Sequence, residues 1–223
     1  MRTKLFLLSI ISLALFTLFS YNVAKERFVQ RDFDTTVKVQ DHIPRKYDEI
    51  FSYFSLLGSV EITFVICLIL SLAWLIRGKW AGFLGWLLII PASIGEVFGK
   101  LVLFHPSPPV FFHRTLLSQS LPSFYVHTNF SYPSGHMTRT IFIITVLGCL
   151  FFFSRLNLFF KYGAIFALTG FGFMMGLTRI YLGEHWLSDV VGGTLLGVGF
   201  GLFAYMLIIL GRKKIPETVD IAN

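Results

Sequence analysis

Six apolar stretches, near residues 4–23, 52–76, 81–104, 136–153, 162–181 and 187–210, run through the 223-residue chain. Each is long enough to cross a hydrocarbon layer of about 30 Å, which takes about 20 residues of helix. No water reaches the backbone there, so a spanning segment must close its own hydrogen bonds as a helix or join a closed barrel. These Leu- and Phe-rich runs lack the alternation of a barrel strand. The expectation is an all-α integral membrane protein, one domain over residues 1–223, with six transmembrane helices. Composition agrees: 55% of residues are hydrophobic and 14% charged, against roughly 25% charged in soluble domains.

The first run follows Arg2 and Lys4, as a signal peptide would. Its apolar stretch continues past Ser20, and Asn22-Val23-Ala24 is a poor cleavage site, so a retained helix is expected. The net charge of +7 does not read as a nucleic-acid surface, because the basic residues sit at the ends of the apolar runs. Arg2, Lys4, Arg77, Lys79, Arg155, Lys161, Arg212, Lys213 and Lys214 all fall on one side of a six-span topology. Short-loop Lys and Arg mark the cytoplasmic side, so both termini are expected there, in what small size and short loops suggest is a bacterial plasma membrane. Cys67 and Cys149 lie inside apolar runs and read as small core residues. The chain has no CxxC, no HExxH and no glycine-rich nucleotide loop.

Two longer connections remain. Residues 24–51 carry six basic side chains (Lys25, Arg27, Arg31, Lys38, Arg45, Lys46) against six acidic ones, and their role is not legible. Residues 105–135 hold Pro106, Pro108, Pro109, Pro122 and Pro133, which favours an irregular, ordered crossing over a helix. Glycines at 163, 170, 172 and 176, and at 192, 193, 197, 199 and 201, suggest close helix packing. Trp74, Trp80, Tyr181 and Trp186 near span ends fit interfacial anchors.

Ionisable side chains inside or at the mouth of a span are costly and mark function. Here they are Glu61, Glu96, Lys100, His136, Arg139, Arg179, His185 and Asp189. Counting spans puts Lys100, His136, Arg179, His185 and Asp189 at one depth on the outer face of the bundle. A Lys and an Arg lacking paired acids suit a phosphate. Ser134 and Gly135 precede a helix, whose free N–H groups and dipole favour an anion, and Gly135 admits close approach. Two histidines can divide phosphoryl transfer between nucleophile and proton donor. Asp189 is four residues after His185, placed to orient and steady the imidazole. A metal site is the rival use of His and Asp, but the neighbouring cations would repel it.

With Pro133-Ser134-Gly135-His136 in place, and Thr178-Arg179 followed by His185 and Asp189, the chain resembles the type 2 phosphatidic acid phosphatase family. The family motifs are Lys-x6-Arg-Pro, Pro-Ser-Gly-His and Ser-Arg-x5-His-x3-Asp. The second is intact, the third has Thr178 for Ser, and the first departs: Lys100 is followed by Ser107-Pro108. The resemblance implies a metal-independent lipid phosphatase with no cofactor. His185 would attack phosphorus to give a phosphohistidine, Asp189 would orient it, and His136 would protonate the leaving oxygen. Lys100, Arg179, Ser134 and the Gly135 backbone would bind phosphoryl oxygens. Arg139, Arg114 or His105 could replace the missing arginine, Arg139 first. The alternative use of Arg139 is an ion pair with Glu96 or Glu61, and Glu96 also stands four before Lys100.

The resemblance suggests as substrate an isoprenyl diphosphate such as undecaprenyl diphosphate, a cell-wall lipid carrier, or phosphatidylglycerophosphate or phosphatidic acid. The partners implied are the bilayer and a membrane lipid phosphate, not nucleic acid. The alternatives are a lipid phosphotransferase using the same histidine and a catalytically silent lipid-phosphate binder or transporter. Oligomeric state is not legible.

Overall fold

The computed structural model describes residues 2–117 and 129–210. Its described residues form nine α-helices: α1 (Arg2–Ala24), α2 (Val29–His42), α3 (Asp48–Leu56), α4 (Val60–Ile76), α5 (Trp80–Leu87), α6 (Ile89–Leu103), α7 (Gly135–Phe152), α8 (Leu158–Tyr181) and α9 (Leu187–Leu210). Six stretches are long and apolar enough to cross a membrane: α1, Arg45–Ile76, Trp80–Leu103, α7, α8 and α9. The protein is an all-α, multi-pass integral membrane protein.

Two expected spans are interrupted, each for a local reason. In the second, the helix stops at Leu56 and restarts at Val60. Ser59 is extended (φ −62°, ψ 160°) and its hydroxyl accepts the N–H of Ile62 at 3.3 Å, an N-cap that starts a new helix. In the third, the break falls at Leu88. Pro91 has no N–H to give the carbonyl four residues earlier, so the ladder is broken there.

The charged connection holds a helix that the sequence reading did not anticipate. α2 is amphipathic: Asp32 and Thr36 are buried, and it packs on α8 and α9. Gln40 donates to the carbonyls of Phe112 (2.7 Å) and Tyr181 (2.9 Å), tying α2 across the mouth of the bundle. The Pro-rich crossing is irregular where described, with one 3-10 turn at Val110–Phe112 and an isolated bridge between Pro106 and Phe130. Pro122 and the basic tail residues Arg212, Lys213 and Lys214 lie outside the described residues.

α9 is the axis of the bundle, with α7, α1 and α5 packed along it. The α7 contact is backbone to backbone. A Cβ at Gly193 would lie 2.5 Å from the Ser134 carbonyl oxygen, and one at Gly197 would lie 2.6 Å from that of Thr138. Gly163 and Gly170 on α8 face open space, so close packing is not their reason. α1 is bound along α9 by Ser9 and Ser12 hydroxyls, which donate to the Gly199 (2.7 Å) and Leu195 (2.8 Å) carbonyls. Cys67 and Cys149 are free thiols.

The span-end aromatics divide. Trp80 is exposed, as an anchor would be. Tyr181 is fully buried, its hydroxyl donating to the Asp48 carboxylate and to the Pro44 carbonyl, so it is a packing residue and not an interfacial anchor. The Trp186 indole N–H donates to the Pro106 carbonyl at 2.8 Å, which pins the Pro-rich crossing to the start of α9.

Candidate active site

The C-terminal ends of α6 and α8 and the N-terminal ends of α7 and α9 meet at one end of the bundle. Lys100, Arg139, Arg179, His185 and Asp189 are all buried there, and His136 is half-buried. α7 starts at a Ser134 cap whose hydroxyl accepts the Met137 N–H. Ser134 in turn donates its own N–H to the Asp189 carbonyl at 3.0 Å. The turn from α8 to α9 is closed by Gly183, whose φ of +67° suits glycine, and by the His185 N–H donating to the Arg179 carbonyl at 3.3 Å.

Nδ1 of His185 lies 3.2 Å from Oδ2 of Asp189, which also accepts the Trp186 N–H at 2.9 Å. Burial holds the His185 imidazole well below its ordinary pKa, and the nearby Arg179 and Lys100 charges act in the same sense. The ring is thereby kept neutral with Nε2 unprotonated, the form that can attack phosphorus. His136 sits over the break between α3 and α4: a Cβ on Gly58 would come within 3.0 Å of its Cδ2. The Gly58-Ser59 interruption of the second span is what leaves room for this imidazole.

The cations are not without acids, contrary to the sequence reading. Lys100 donates to Oε1 of Glu96 at 2.8 Å and Arg139 to Oε2 at 2.6 Å. The Arg139–Glu96 ion pair is the alternative use of Arg139 that the sequence offered. A buried carboxylate needs charged donors on both oxygens, and the spacing of Glu96 four before Lys100 supplies one of them. The Glu96 carboxylate also lies against Gly135, where a Cβ would come within 2.2 Å of it. Arg179 pairs with Glu184 and with the Ser55 hydroxyl. Glu61 stands apart from these pairs, at the first turn of α4.

Of the other candidates for the missing arginine, Arg114 donates to the Ile43 (3.1 Å) and Gln40 (3.0 Å) carbonyls and stacks over the Tyr181 ring, so it holds the loop on α2. Ser107 bonds the Asn129 backbone in the bridge. His105 is buried, with Nε2 3.7 Å from Oδ1 of Asp189. Sequence reasoning missed Asp32, which accepts the Ser188 N–H (2.8 Å) and hydroxyl (2.7 Å) beside Asp189. Its signal would have been an acid facing inward on an amphipathic stretch. Asp32 is pushed up to about 6 by burial, with the Ser188 bonds opposing.

The family model of the PAP2 superfamily matches residues 80–210, more than half of the chain. The chain belongs to the PAP2 superfamily. No curated protein matches the sequence. Among solved structures, it is similar to the first transmembrane PAP2-type phosphatidylglycerolphosphate phosphatase from Bacillus subtilis, at 18% identity and a TM-score of 0.70 over 88% of this chain and 93% of that one. It is also similar to LpxE of Aquifex aeolicus, at 22% identity and a TM-score of 0.54 over 78% of this chain and 93% of that one. At these identities the likeness is one of fold. The match to residues 80–210 includes α5 to α9 and leaves out residues 1–79, which carry Asp32, Ser55 and Gly58.

Proposed function

We propose that this protein hydrolyses the phosphate monoester or diphosphate of a membrane lipid through a phosphohistidine on His185. The observation that carries the reading is the buried His185–Asp189 pair at 3.2 Å, next to Lys100 and Arg179. In the first step Nε2 of His185 forms the N–P bond as the phosphorus–oxygen bond to the lipid breaks. The leaving oxygen takes a proton from His136, which carries it once the anionic phosphate lies among the surrounding cations. The imidazole, now positive, keeps its Nδ1–H on Asp189. In the second step water attacks phosphorus, its proton goes to His136, and the N–P bond breaks to return neutral His185.

Phosphoryl transfer needs positioning and stabilised charge on the equatorial oxygens. Lys100, Arg179, the Ser134 hydroxyl and the Gly135 N–H at the start of α7 supply it. Arg139 acts behind them by holding Glu96. We propose no metal step, because the cations beside the histidines would repel a divalent ion. An apolar cleft of about 220 Å³ is lined by Leu57, Ile62, Ile66, Ile143, Leu168 and Phe171, with Thr140 of its lining four residues beyond His136 on α7. A lipid chain fits there. Substrates of the right shape are an isoprenyl diphosphate such as undecaprenyl diphosphate, phosphatidic acid, and phosphatidylglycerophosphate. The clustered Lys and Arg at the ends of the apolar runs support a cytoplasmic location for the opposite end and an outward-facing site.

The test is phosphate release by purified protein from a panel of these lipids in excess EDTA, with acid-labile radiolabelled phosphoenzyme as the second readout. Release that disappears in His185→Ala, with labelling lost too, is the expected result. Turnover retained by His185→Ala, or no release from any lipid phosphate, would overturn the reading.

A further inference from the structure

Asp189 has two carboxylate oxygens, and the steps above use one. Oδ2 takes His185 and the Trp186 N–H. Oδ1 is buried with no hydrogen-bond partner among the described residues, and faces Nε2 of His105 at 3.7 Å. His105 is itself held in place: the Ser131 N–H donates to its carbonyl at 3.0 Å, and its ring meets the Tyr132 ring edge-on with centroids 6.3 Å apart.

The proton on this imidazole can be located from its other neighbour. Nε2 of His105 is 3.4 Å from the Ser188 hydroxyl oxygen. That hydroxyl has one hydrogen, and it is given to Oδ2 of Asp32 at 2.7 Å. The oxygen is therefore an acceptor toward His105, so Nε2 carries a hydrogen. The same N–H faces Oδ1 of Asp189 at 3.7 Å, and the Ser131 hydroxyl approaches the same carboxylate. A line of groups thus runs from Asp32 on α2 through Ser188 and His105 to Asp189 and His185.

We propose that His105 is a positioning residue for this reaction, its Nε2–H holding Oδ1 of Asp189 so that Oδ2 stays on Nδ1 of His185, with Asp32 and Ser188 fixing which nitrogen bears the proton. This rests on the reading of His185 as nucleophile. It gives the histidine before Pro106 a task separate from that of the absent arginine: it serves the carboxylate and does not bind the phosphate. The charged groups facing His105 and Asp189 are Asp32 from α2, Lys100 from α6 and His185 from the α8–α9 turn. The anchoring acid lies outside the family-matched residues.

The test compares His105→Leu, His105→Gln, Ser188→Ala and His185→Ala on one lipid phosphate, measuring kcat, KM and the pH profile. Losing the N–H that faces the Asp189 carboxylate at 3.7 Å predicts that His105→Leu lowers kcat by roughly 10-fold, with KM held within about twofold. Without its donor the Asp189 carboxylate becomes more basic, so the acid limb of kcat/KM moves to higher pH. Gln places an amide N–H near the Nε2 position and restores most of the rate. Ser188→Ala frees the choice of tautomer and gives a smaller shift in the same direction, which keeps the test open if His105→Leu does not fold. An unshifted pH profile in both His105→Leu and Ser188→Ala overturns the proposal. So does a KM rise matching the kcat loss, the mark of a phosphate ligand, or a Gln variant no better than Leu. Turnover retained by His185→Ala would instead remove the nucleophile reading on which the proposal rests.

Discussion

The Ser134 N–H donates to the carbonyl oxygen of Asp189 at 3.0 Å. One residue therefore fixes the start of α7 through its backbone and orients His185 through its side chain. The anion-binding helix terminus and the nucleophile are registered to each other through Asp189. Asp189→Asn separates the two tasks, because the carbonyl remains and the carboxylate charge does not. We expect kcat to fall by roughly 10³–10⁴, the cost of losing an orienting carboxylate, with KM and thermal stability little changed. A KM rise as large as the kcat loss would show instead that α7 had shifted.

The glycine positions make a paired stability test. A Cβ at Gly193 meets the Ser134 carbonyl oxygen at 2.5 Å and the Met137 Cβ at 2.9 Å, neither of which can yield cheaply. Gly193→Ala should destabilise by about 1–3 kcal/mol, the usual cost of overpacking, and should lower activity by moving Ser134. Gly163→Ala, with nothing within 4 Å, should leave stability unchanged or raise it by about 0.5–1 kcal/mol through helix propensity. Thermal unfolding in detergent reads both. Equal effects at the two sites would mean that α7 and α9 are not in contact there.

What the sequence could reveal follows from the range of the interaction. Span limits come from apolar length, a local property, and Trp80–Leu103 or Leu187–Leu210 differ from expectation by a residue or less. The i, i+4 spacings Glu96–Lys100 and His185–Asp189 were also legible; helix geometry sets the first, whereas His185 lies in the turn before α9. The partner of Arg139 was legible only as a choice between Glu96 and Glu61, and that of Arg179 was not: Glu96 is 43 residues from Arg139 and Ser55 is 124 from Arg179, separations that only tertiary packing closes. α2 was lost because its balanced charge hid an inward face holding Asp32 and Thr36.

Glu96 accepts from Lys100 and from Arg139 on opposite oxygens, so the three form one buried unit. Removing the carboxylate alone leaves two buried cations facing each other. Glu96→Gln is expected to destabilise by about 3–5 kcal/mol, as for a buried pair stripped of one partner. Adding Arg139→Met should recover a large part of that loss, since it also removes a cation. The double-mutant cycle in thermal unfolding measures this coupling. Strict additivity would place Arg139 elsewhere, in the phosphate site.

Asp32 gives the protein a pH-dependent stability whose sign can be worked out. Its pKa rises from 3.8 to about 6 on folding, chiefly through burial. A carboxyl that holds its proton more tightly when folded favours the fold at low pH. That contribution is complete below about 4 and is lost as pH rises through about 6, in total roughly 3 kcal/mol. Asp32→Asn cannot ionise. The unfolding midpoint of the wild type should therefore drop more between pH 4 and pH 7 than that of the variant. Parallel slopes would mean that Asp32 ionises as freely in the fold as in the unfolded chain.

The apolar cleft offers a test of the lipid character of the substrate that spares the chemistry. Thr140 lines it and stands four residues, one helical turn, beyond His136 on the same face of α7. Thr140→Trp would fill much of the roughly 220 Å³ without touching the phosphate-binding side chains. If the chain of the substrate lies in this cleft, kcat/KM for a long-chain lipid phosphate should fall about 10-fold or more, since each buried CH₂ contributes about 0.8 kcal/mol. Hydrolysis of a water-soluble short-chain phosphate, which gains nothing from the cleft, should be unchanged. The ratio of the two rates is the measurement, and it is insensitive to how much enzyme folds. Equal loss on both substrates would show that the tryptophan had displaced His136, and no loss on either would put the lipid chain on another face of the bundle.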